Sequence, residues 1–136
     1  MSPRRERIRS DKVREPAEGT WSNCLRIGDL ITVSGMTARG SDGETVLGDN
    51  EYDQAMVVFG KIRDLVEAAG AEMDDVVKMT IFVTDITNNS KVWDARRQFF
   101  EGDFPACTLV QVAALAKPEI LLEIEALAVA GSSSGD

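Results

Sequence analysis

The order in which two hydrophobic patterns follow each other along the chain is the feature that most constrains its fold. Apolar residues that alternate with polar ones are typical of half-buried strands, whereas apolar residues three and four positions apart are typical of amphipathic helices. Strand patterns cover 24–27, 30–35, 76–85, 108–115 and 120–129, and helix patterns cover 52–69 and 92–100. The order β-β-α-β-α-β-β predicts an α+β fold, in which a mixed β-sheet carries two helices on one face.

Turn and capping residues support these elements. Gly28-Asp29 separates the first two strands as in a hairpin, and Lys117-Pro118-Glu119 separates the last two. Asn50 is a good cap for the first helix, and Gly70 can end that helix in a left-handed conformation. Asn88-Asn89-Ser90 is predicted to cap the second helix.

The last strand predicts that one face of the sheet is not covered by the chain itself. Side chains alternate along a strand, so its core-facing residues are Leu122, Ile124, Ala126 and Ala128. Its other face carries Leu121, Glu123, Glu125 and Leu127, a half-polar surface typical of a subunit interface or a cleft. Because an open, partly apolar sheet face invites aggregation, we expect oligomerisation to cover it.

The length and composition are those of one globular domain. The chain has 136 residues, of which 43% are hydrophobic and 28% charged, and it has no apolar run as long as a membrane span. We expect a polar N-terminal arm at 1–19 that becomes ordered only against the body, a folded domain at 20–130 and a flexible tail at 131–136. The charged opening segment is not followed by an apolar stretch, so we expect no secretory signal and a cytoplasmic protein.

The absence of histidine and the acidic net charge exclude several kinds of chemistry. With no histidine, it has no His-containing zinc site and no Ser-His or Cys-His pair, and we expect neither a metal nor an organic cofactor. Its formal net charge of −8 opposes binding to a nucleic acid. Acid–base chemistry is left to carboxylates, thiols, lysines, tyrosine or bound water.

Five motifs occur in an order that resembles the Rid family, also called YjgF and formerly endoribonuclease L-PSP, of small enamine and imine deaminases. The resemblance spans about 19–130, and its motifs are Ile31–Gly35, Leu65–Ala71, Asp75–Asp85, Phe104–Ala106 and Leu122–Ala126. It implies a chorismate-mutase-like subunit in a homotrimer with a central β-barrel. It also implies that a small-molecule substrate binds in clefts between neighbouring subunits.

The resemblance assigns roles to individual residues. Glu123 matches the family glutamate that positions the attacking water, and Ser34 matches a serine that lines the cleft. Trp21 stands where the family has a cleft tyrosine, and Trp93 stands where it has a polar asparagine. These four residues are candidate site residues. The two tryptophans predict a larger, more apolar pocket, although packing at a subunit boundary would also explain them.

Cys107 is the main departure from the family pattern. Established deaminases of the family have an arginine at this position, and its guanidinium holds the substrate carboxylate. Cys107 is a candidate nucleophile and binding residue, with a small buried hydrophobe as the alternative. Three other cations could replace the missing charge, and the sequence does not rank Arg26, Arg39 and Arg96.

The leading functional hypothesis is a Rid-like hydrolytic deaminase of an enamine or imine other than the small 2-imino acids of the archetype. The alternative is a non-catalytic trimer that binds a small metabolite in the same clefts. A ribonuclease is the least favoured class because of the acidic charge.

Two further residues are expected to have structural roles: Glu125 at the subunit interface and Cys24 in the core.

Overall fold

A computed structural model describes residues 3–134 of the chain. The strands are β1 (Arg5–Ile8), β2 (Cys24–Ile27), β3 (Leu30–Met36), β4 (Val76–Val83), β5 (Ala106–Gln111) and β6 (Leu122–Val129). The helices are α1 (Glu51–Ala68) and α2 (Asn89–Arg96), and short 3-10 turns precede β4 and α2. No helix within 3–134 is both long enough and apolar enough to span a membrane.

The six strands form one mixed sheet in the order β1-β2-β3-β6-β4-β5. Only β4 and β5 pair in parallel, and the other neighbours are antiparallel. Helix α1 packs on β3 and β6, and α2 packs on α1. The prediction of an α+β fold with a mixed sheet and two helices on one face is confirmed.

The sheet has one strand more than the sequence pattern predicted. β1 lies within the segment that we expected to be an arm, and it pairs with β2 so that Ile8 lies opposite Cys24. Ile8 and Val13 are both buried, and Arg7 forms an ion pair with Glu15 at 2.9 Å. The segment is therefore ordered by contacts with the body of the fold, which its polar composition conceals.

Helix α1 begins and ends where its caps predicted. The side chain of Asn50 accepts a hydrogen bond from the backbone N–H of Asp53 at 2.9 Å, and Gly70 has a φ of 88°. The apolar stripe of the helix is fully buried, including Phe59, Ile62 and Leu65. The cap predicted for α2 differs, because the side chain of Asp85 caps the preceding 3-10 turn and Asn88 makes no side-chain cap.

Strand β6 separates the core from the surface as its alternation predicted. The four residues assigned to the core, Leu122, Ile124, Ala126 and Ala128, are buried. Several large apolar side chains are exposed on the opposite face of the sheet: Leu30, Val110, Leu127 and Val129. This outer face is the uncovered surface that led us to predict an oligomer.

Asp75, which is 2% exposed, anchors the residues that follow β6. Its carboxylate accepts hydrogen bonds from the N–H and hydroxyl of Ser133 at 2.8 and 2.7 Å, and from the N–H of Gly131 at 3.2 Å. Burial alone would raise the pKa of Asp75, but these hydrogen bonds hold it below the ordinary value. Residues 131–134 of the expected tail are thus bound to the domain, and 135 and 136 lie outside the described residues.

Candidate active site

Three of the residues proposed from the sequence line one cleft on the outer side of the sheet. Trp21, Ser34 and Glu123 surround a space of about 360 Å³ together with Gly35, Thr37, Arg39 and Ala116. β6 presents Glu123 on its outer face, and neighbouring β3 supplies Ser34 and Gly35. The sheet therefore brings the carboxylate and the serine together from segments about ninety residues apart in sequence.

Gly35 leaves the room that the Glu123 carboxyl group occupies. A Cβ atom at Gly35 would lie 2.9 Å from the Glu123 Cδ atom and still closer to its Oε2. The pairing of β3 with β6 is irregular between Val33 and Met36, which flank this point. A glycine inside a strand often marks such a close approach, so this position had a sequence signal that the motif Ile31–Gly35 contains.

The surroundings of Glu123 suit it to proton transfer. Burial raises the pKa of Glu123, the positive charge of Arg39 opposes that rise, and the negative charge of Glu125 adds to it. A carboxyl group with a raised pKa in a half-buried cleft can take up and release a proton nearer neutral pH than a free glutamate. Such groups are enriched at functional sites.

Ser34 lines the cleft with a polar atom, and Trp21 lines it with an aromatic surface. The Ser34 hydroxyl donates to the backbone carbonyl of Ser22 at 2.6 Å, which fixes its orientation and leaves its oxygen able to accept a hydrogen bond. The Trp21 side chain is 55% exposed, so a large flat apolar surface is available to a ligand. The cleft thus combines an oriented polar atom with an aromatic surface.

A second cavity continues from this cleft. It has a volume of about 310 Å³ and shares Trp21, Gly35, Thr37 and Arg39 with the first. Its walls are the segment 13–17, which follows β1, and the loop 37–44, which follows β3. A ligand larger than a few atoms therefore has room beyond the carboxyl group of Glu123.

Arg26, Arg39 and Arg96, the three cations that could replace the missing positive charge, differ in their contacts and in their position relative to the Glu123 cleft. Arg26 is bound to the carbonyls of Gly28 and Ala69 and to Asp29. Arg96 stacks over the rings of Trp93 and Phe104, with centroid distances of 4.3 and 5.3 Å. Arg39 alone of the three lines the Glu123 cleft.

Cys107 and Trp93 lie elsewhere in the subunit. Cys107 pairs with Met79 and Glu123 pairs with Phe82, and successive residues of β4 point to opposite faces. Cys107 therefore points towards the helix side, where it packs against the core, and Glu123 points to the outer side. A single chain does not bring the two proposed catalytic residues into one cleft.

The environment of Cys107 favours the thiol. Burial raises the pKa of Cys107, and the nearby charge of Arg96 only partly opposes this rise. Its Sγ atom is 3.9 Å from the carbonyl of Thr108, a weak contact. Cys24 is 1% exposed, and burial raises its pKa to about 11, in keeping with the packing role expected of it.

Glu125 differs from Glu123 although both lie on the outer face of β6. Glu125 is exposed and borders another depression, with Thr32, Lys78 and Thr80, which meets the Glu123 cleft at Ser34. No group of three or more histidine, cysteine, aspartate or glutamate side chains within 3–134 is arranged to hold a metal ion. The sequence named Arg39 only as one of three candidate cations and Gly35 only as part of the motif Ile31–Gly35, and the structure places both beside Glu123.

Comparisons with known proteins agree with this fold and show its family. The family model described as endoribonuclease L-PSP matches residues 12–130. A 2-iminobutanoate/2-iminopropanoate deaminase from Dermatophagoides farinae is 32% identical over 129 residues, which cover 95% of this chain and 98% of that protein.

Solved structures give the same result. A Pseudomonas aeruginosa protein of unknown function superposes with a TM-score of 0.84 at 36% identity, covering 95% of this chain and 94% of that one. Escherichia coli TdcF with bound serine superposes with a TM-score of 0.82 at 28% identity, covering 91% and 98%. The chain therefore belongs to the endoribonuclease L-PSP family, which is the Rid (YjgF) family of reactive intermediate deaminases.

Proposed function

We propose that the protein is a hydrolytic deaminase that converts a reactive imine or enamine into a carbonyl compound and ammonia. The observation that carries this proposal is the half-buried carboxyl group of Glu123, which has a raised pKa and faces a cleft lined by Ser34 and Trp21. The deaminase activity named for a relative that aligns with 95% of this chain supports the same reaction class.

The proposed mechanism is proton transfer by one carboxyl group. Glu123 as a carboxylate removes a proton from a water molecule while the water oxygen attacks the carbon of the C=N bond. The protonated Glu123 then delivers that proton to the nitrogen of the tetrahedral intermediate. Glu123 next takes the proton of the newly added hydroxyl group as the C–N bond breaks and passes it to the departing nitrogen, so that a carbonyl compound and ammonia are released and the carboxylate is restored. The water supplies both the oxygen and the hydrogens, so the reaction balances without any other reactant.

We further propose that the substrate differs from the small 2-imino acids of the archetype. A thiol at position 107 provides no fixed positive charge, and the raised pKa of Cys107 keeps it neutral. Trp21 offers its ring to the cleft, which extends into the second cavity. A ring or an extended conjugated chain next to the C=N group would fit this shape.

The proposed assembly is a homotrimer, in which each cleft lies between two subunits. The exposed apolar side chains on the outer face of the sheet support it, because a second copy would cover them. In such an assembly the Cys107 and Trp93 of one chain would border the Glu123 of its neighbour. This arrangement would join residues that one chain holds on opposite faces of its sheet.

The alternative function is a non-catalytic trimer that binds a small metabolite in the same clefts. The replacement of the family arginine by Cys107 is the observation that favours it, because that arginine holds the substrate in the established deaminases. Retention of Glu123 in the cleft opposes it. The two functions differ in turnover, which can be measured directly.

Ammonia release tests the proposed function. Imines are generated in situ from alanine or from phenylalanine by an amino acid oxidase, and the rate is compared with spontaneous hydrolysis. We expect the native protein to accelerate hydrolysis of the phenylalanine-derived imine more than that of the alanine-derived one. Cys107→Arg is expected to shift this preference towards the small imine by about tenfold, because it restores a bidentate carboxylate partner.

The outcomes of this assay separate the two functions. A native protein that accelerates neither imine, together with an inactive Cys107→Arg variant, would support the binding trimer. Acceleration of the alanine-derived imine alone would show that the substrate is of the archetypal kind. A native protein and a Cys107→Arg variant with the same preference would show that position 107 does not select the substrate.

The pH dependence of the rate reports on Glu123. Its carboxylate form is needed to activate water, and its raised pKa means that this form is lost at a higher pH than for a free glutamate, whose pKa is about 4.3. We therefore expect kcat/KM to fall as the pH decreases through the raised pKa. This fall is the acidic limb of the pH profile. Glu125→Gln removes a neighbouring negative charge that raises the pKa of Glu123, so it should move the acidic limb to lower pH. An unchanged limb in that variant would mean that another group controls it.

A further inference from the structure

We infer that Arg39 binds an anionic group of the substrate, so that the imine or enamine carries a carboxylate that is held from the β3 side of the cleft. This inference rests on the proposed function and names the substrate class for the same cleft. It assigns to Arg39 the charge that Cys107 cannot supply.

Arg39 is a cation without a partner in a cleft that faces an acid–base residue. Its Nε atom is buried and has no hydrogen-bond partner, which is also true of Arg7 and Arg96, but Arg39 is the one of the three that lines this cleft. No ion pair involving Arg39 is present within residues 3–134. A buried guanidinium donor normally has a partner, and leaving it unpaired is costly. A ligand oxygen in the cleft would supply that partner.

The backbone around Arg39 is held firmly, which suits it to orient a ligand. Arg39 forms an isolated antiparallel bridge with Val46, and the carbonyl of Ala38 accepts from the N–H of Leu47 at 2.7 Å. Lys61 Nζ donates to the carbonyls of Thr37 and Arg39 at 2.6 and 2.7 Å. The ammonium group of Lys61 is thus committed to holding this segment, and the guanidinium of Arg39 is the group left for a ligand.

Other positive groups nearby do not compete for this role. Arg14 borders the second cavity but donates to the carbonyl of Ser41 at 3.0 Å. The cations Arg14 and Lys61 are absent from the lining of the Glu123 cleft, in which Arg39 is the one cation among the described residues. Arg39 and Glu123 line the same cleft, and the positive charge of Arg39 opposes the rise in the pKa of Glu123.

The placement of the two charges also orients the substrate. A carboxylate bound by Arg39 directs the C=N group towards Glu123, and the shared wall at Trp21 contacts the apolar part of the molecule. Guanidinium suits this task because its fork of donors matches both carboxylate oxygens. The same charge lowers the pKa of Glu123, so occupation of Arg39 by an anion would also affect the acid–base group.

Binding of phenylacetate and phenylacetamide tests the inference without turnover. The two probes have the same ring and differ in the charge of the terminal group, and their dissociation constants are measured by NMR titration. We expect Arg39→Gln to weaken phenylacetate binding by about tenfold or more and to leave phenylacetamide unchanged. Arg39→Lys should retain part of the difference, and Arg97→Gln, a change at an exposed arginine paired with Asp94, should have no effect.

Three results would overturn the inference: equal phenylacetate binding by native protein and Arg39→Gln, equal weakening of both probes, or no binding of phenylacetate by the native protein. Failure of the proposed function is a separate outcome. If no imine is turned over but phenylacetate binding still depends on Arg39, the anion site stands and the deaminase does not.

Discussion

Glu123→Gln is expected to reduce kcat/KM for imine hydrolysis by about 10²- to 10⁴-fold, the usual contribution of a positioned general acid–base group. The amide nearly matches the carboxyl group in size, so it should occupy the space beside Gly35 without a new clash. It cannot accept a proton from water at neutral pH. The measurement is ammonia release from the phenylalanine-derived imine at a pH above the acidic limb.

Glu125→Gln is the matched control for this change. Glu125 lies two residues away on the same face of β6, but it is exposed and borders a different depression. The Glu125→Gln variant should keep kcat/KM within about threefold of the native value. This change is smaller than the tenfold effect that about 1.4 kcal/mol of activation free energy would produce. Equal losses in both variants, or full activity in Glu123→Gln, would remove Glu123 from the mechanism.

Gly35→Ala is expected to reduce activity about a hundredfold, because small displacements of a reacting group are costly in rate. The added methyl group would fall on the Glu123 carboxyl group and force it out of the cleft position that it now has. The clashing atoms belong to the end of a flexible, half-buried side chain that can turn away, so the loss of stability should be small. Both effects are measured on the same sample, by kcat/KM and by the free energy of unfolding in urea.

Gly60→Ala is the matched control for the glycine substitution. Gly60 lies in α1, and the nearest atom to an added Cβ is Arg63 Nη2 at 3.8 Å, an ordinary contact. Alanine favours a helix by about 1 kcal/mol over glycine, so this variant should be more stable and equally active. A second variant, Gly35→Ala with Glu123→Asp, should remain inactive, because the shorter side chain avoids part of the clash but does not reach as far into the cleft.

The fold was predictable where local pattern and burial agree. The alternation of β6 and the caps of α1 are determined by neighbouring residues, and both lie where the sequence indicated. β1 was not predictable in this way. Its polar residues form a strand because β2 offers a free edge and because Ile8 and Val13 reach the core, which are contacts between distant segments.

The site was predictable for Glu123, Ser34 and Trp21, which the family resemblance placed together and which share one cleft. The position of Cys107 relative to Glu123 depends on which residues of β4 each one pairs with, and strand register is a property of the assembled sheet. The selection of Arg39 from the three cations depended on which of them lines the Glu123 cleft, because Arg96 Nε is also buried without a hydrogen-bond partner. That information exists only once side chains are placed in space.

The hydrogen bonds that Gly131 and Ser133 donate to Asp75 limit how far the C-terminus of this chain can be shortened. A truncation after Ala130 would remove the Gly131 and Ser133 donors and leave the carboxylate with the N–H of Glu72 at 3.0 Å. A buried carboxylate that loses its donors destabilises the fold by about 1–3 kcal/mol or more. Shortened forms should therefore keep the chain through Ser133, and fused domains should be joined beyond it.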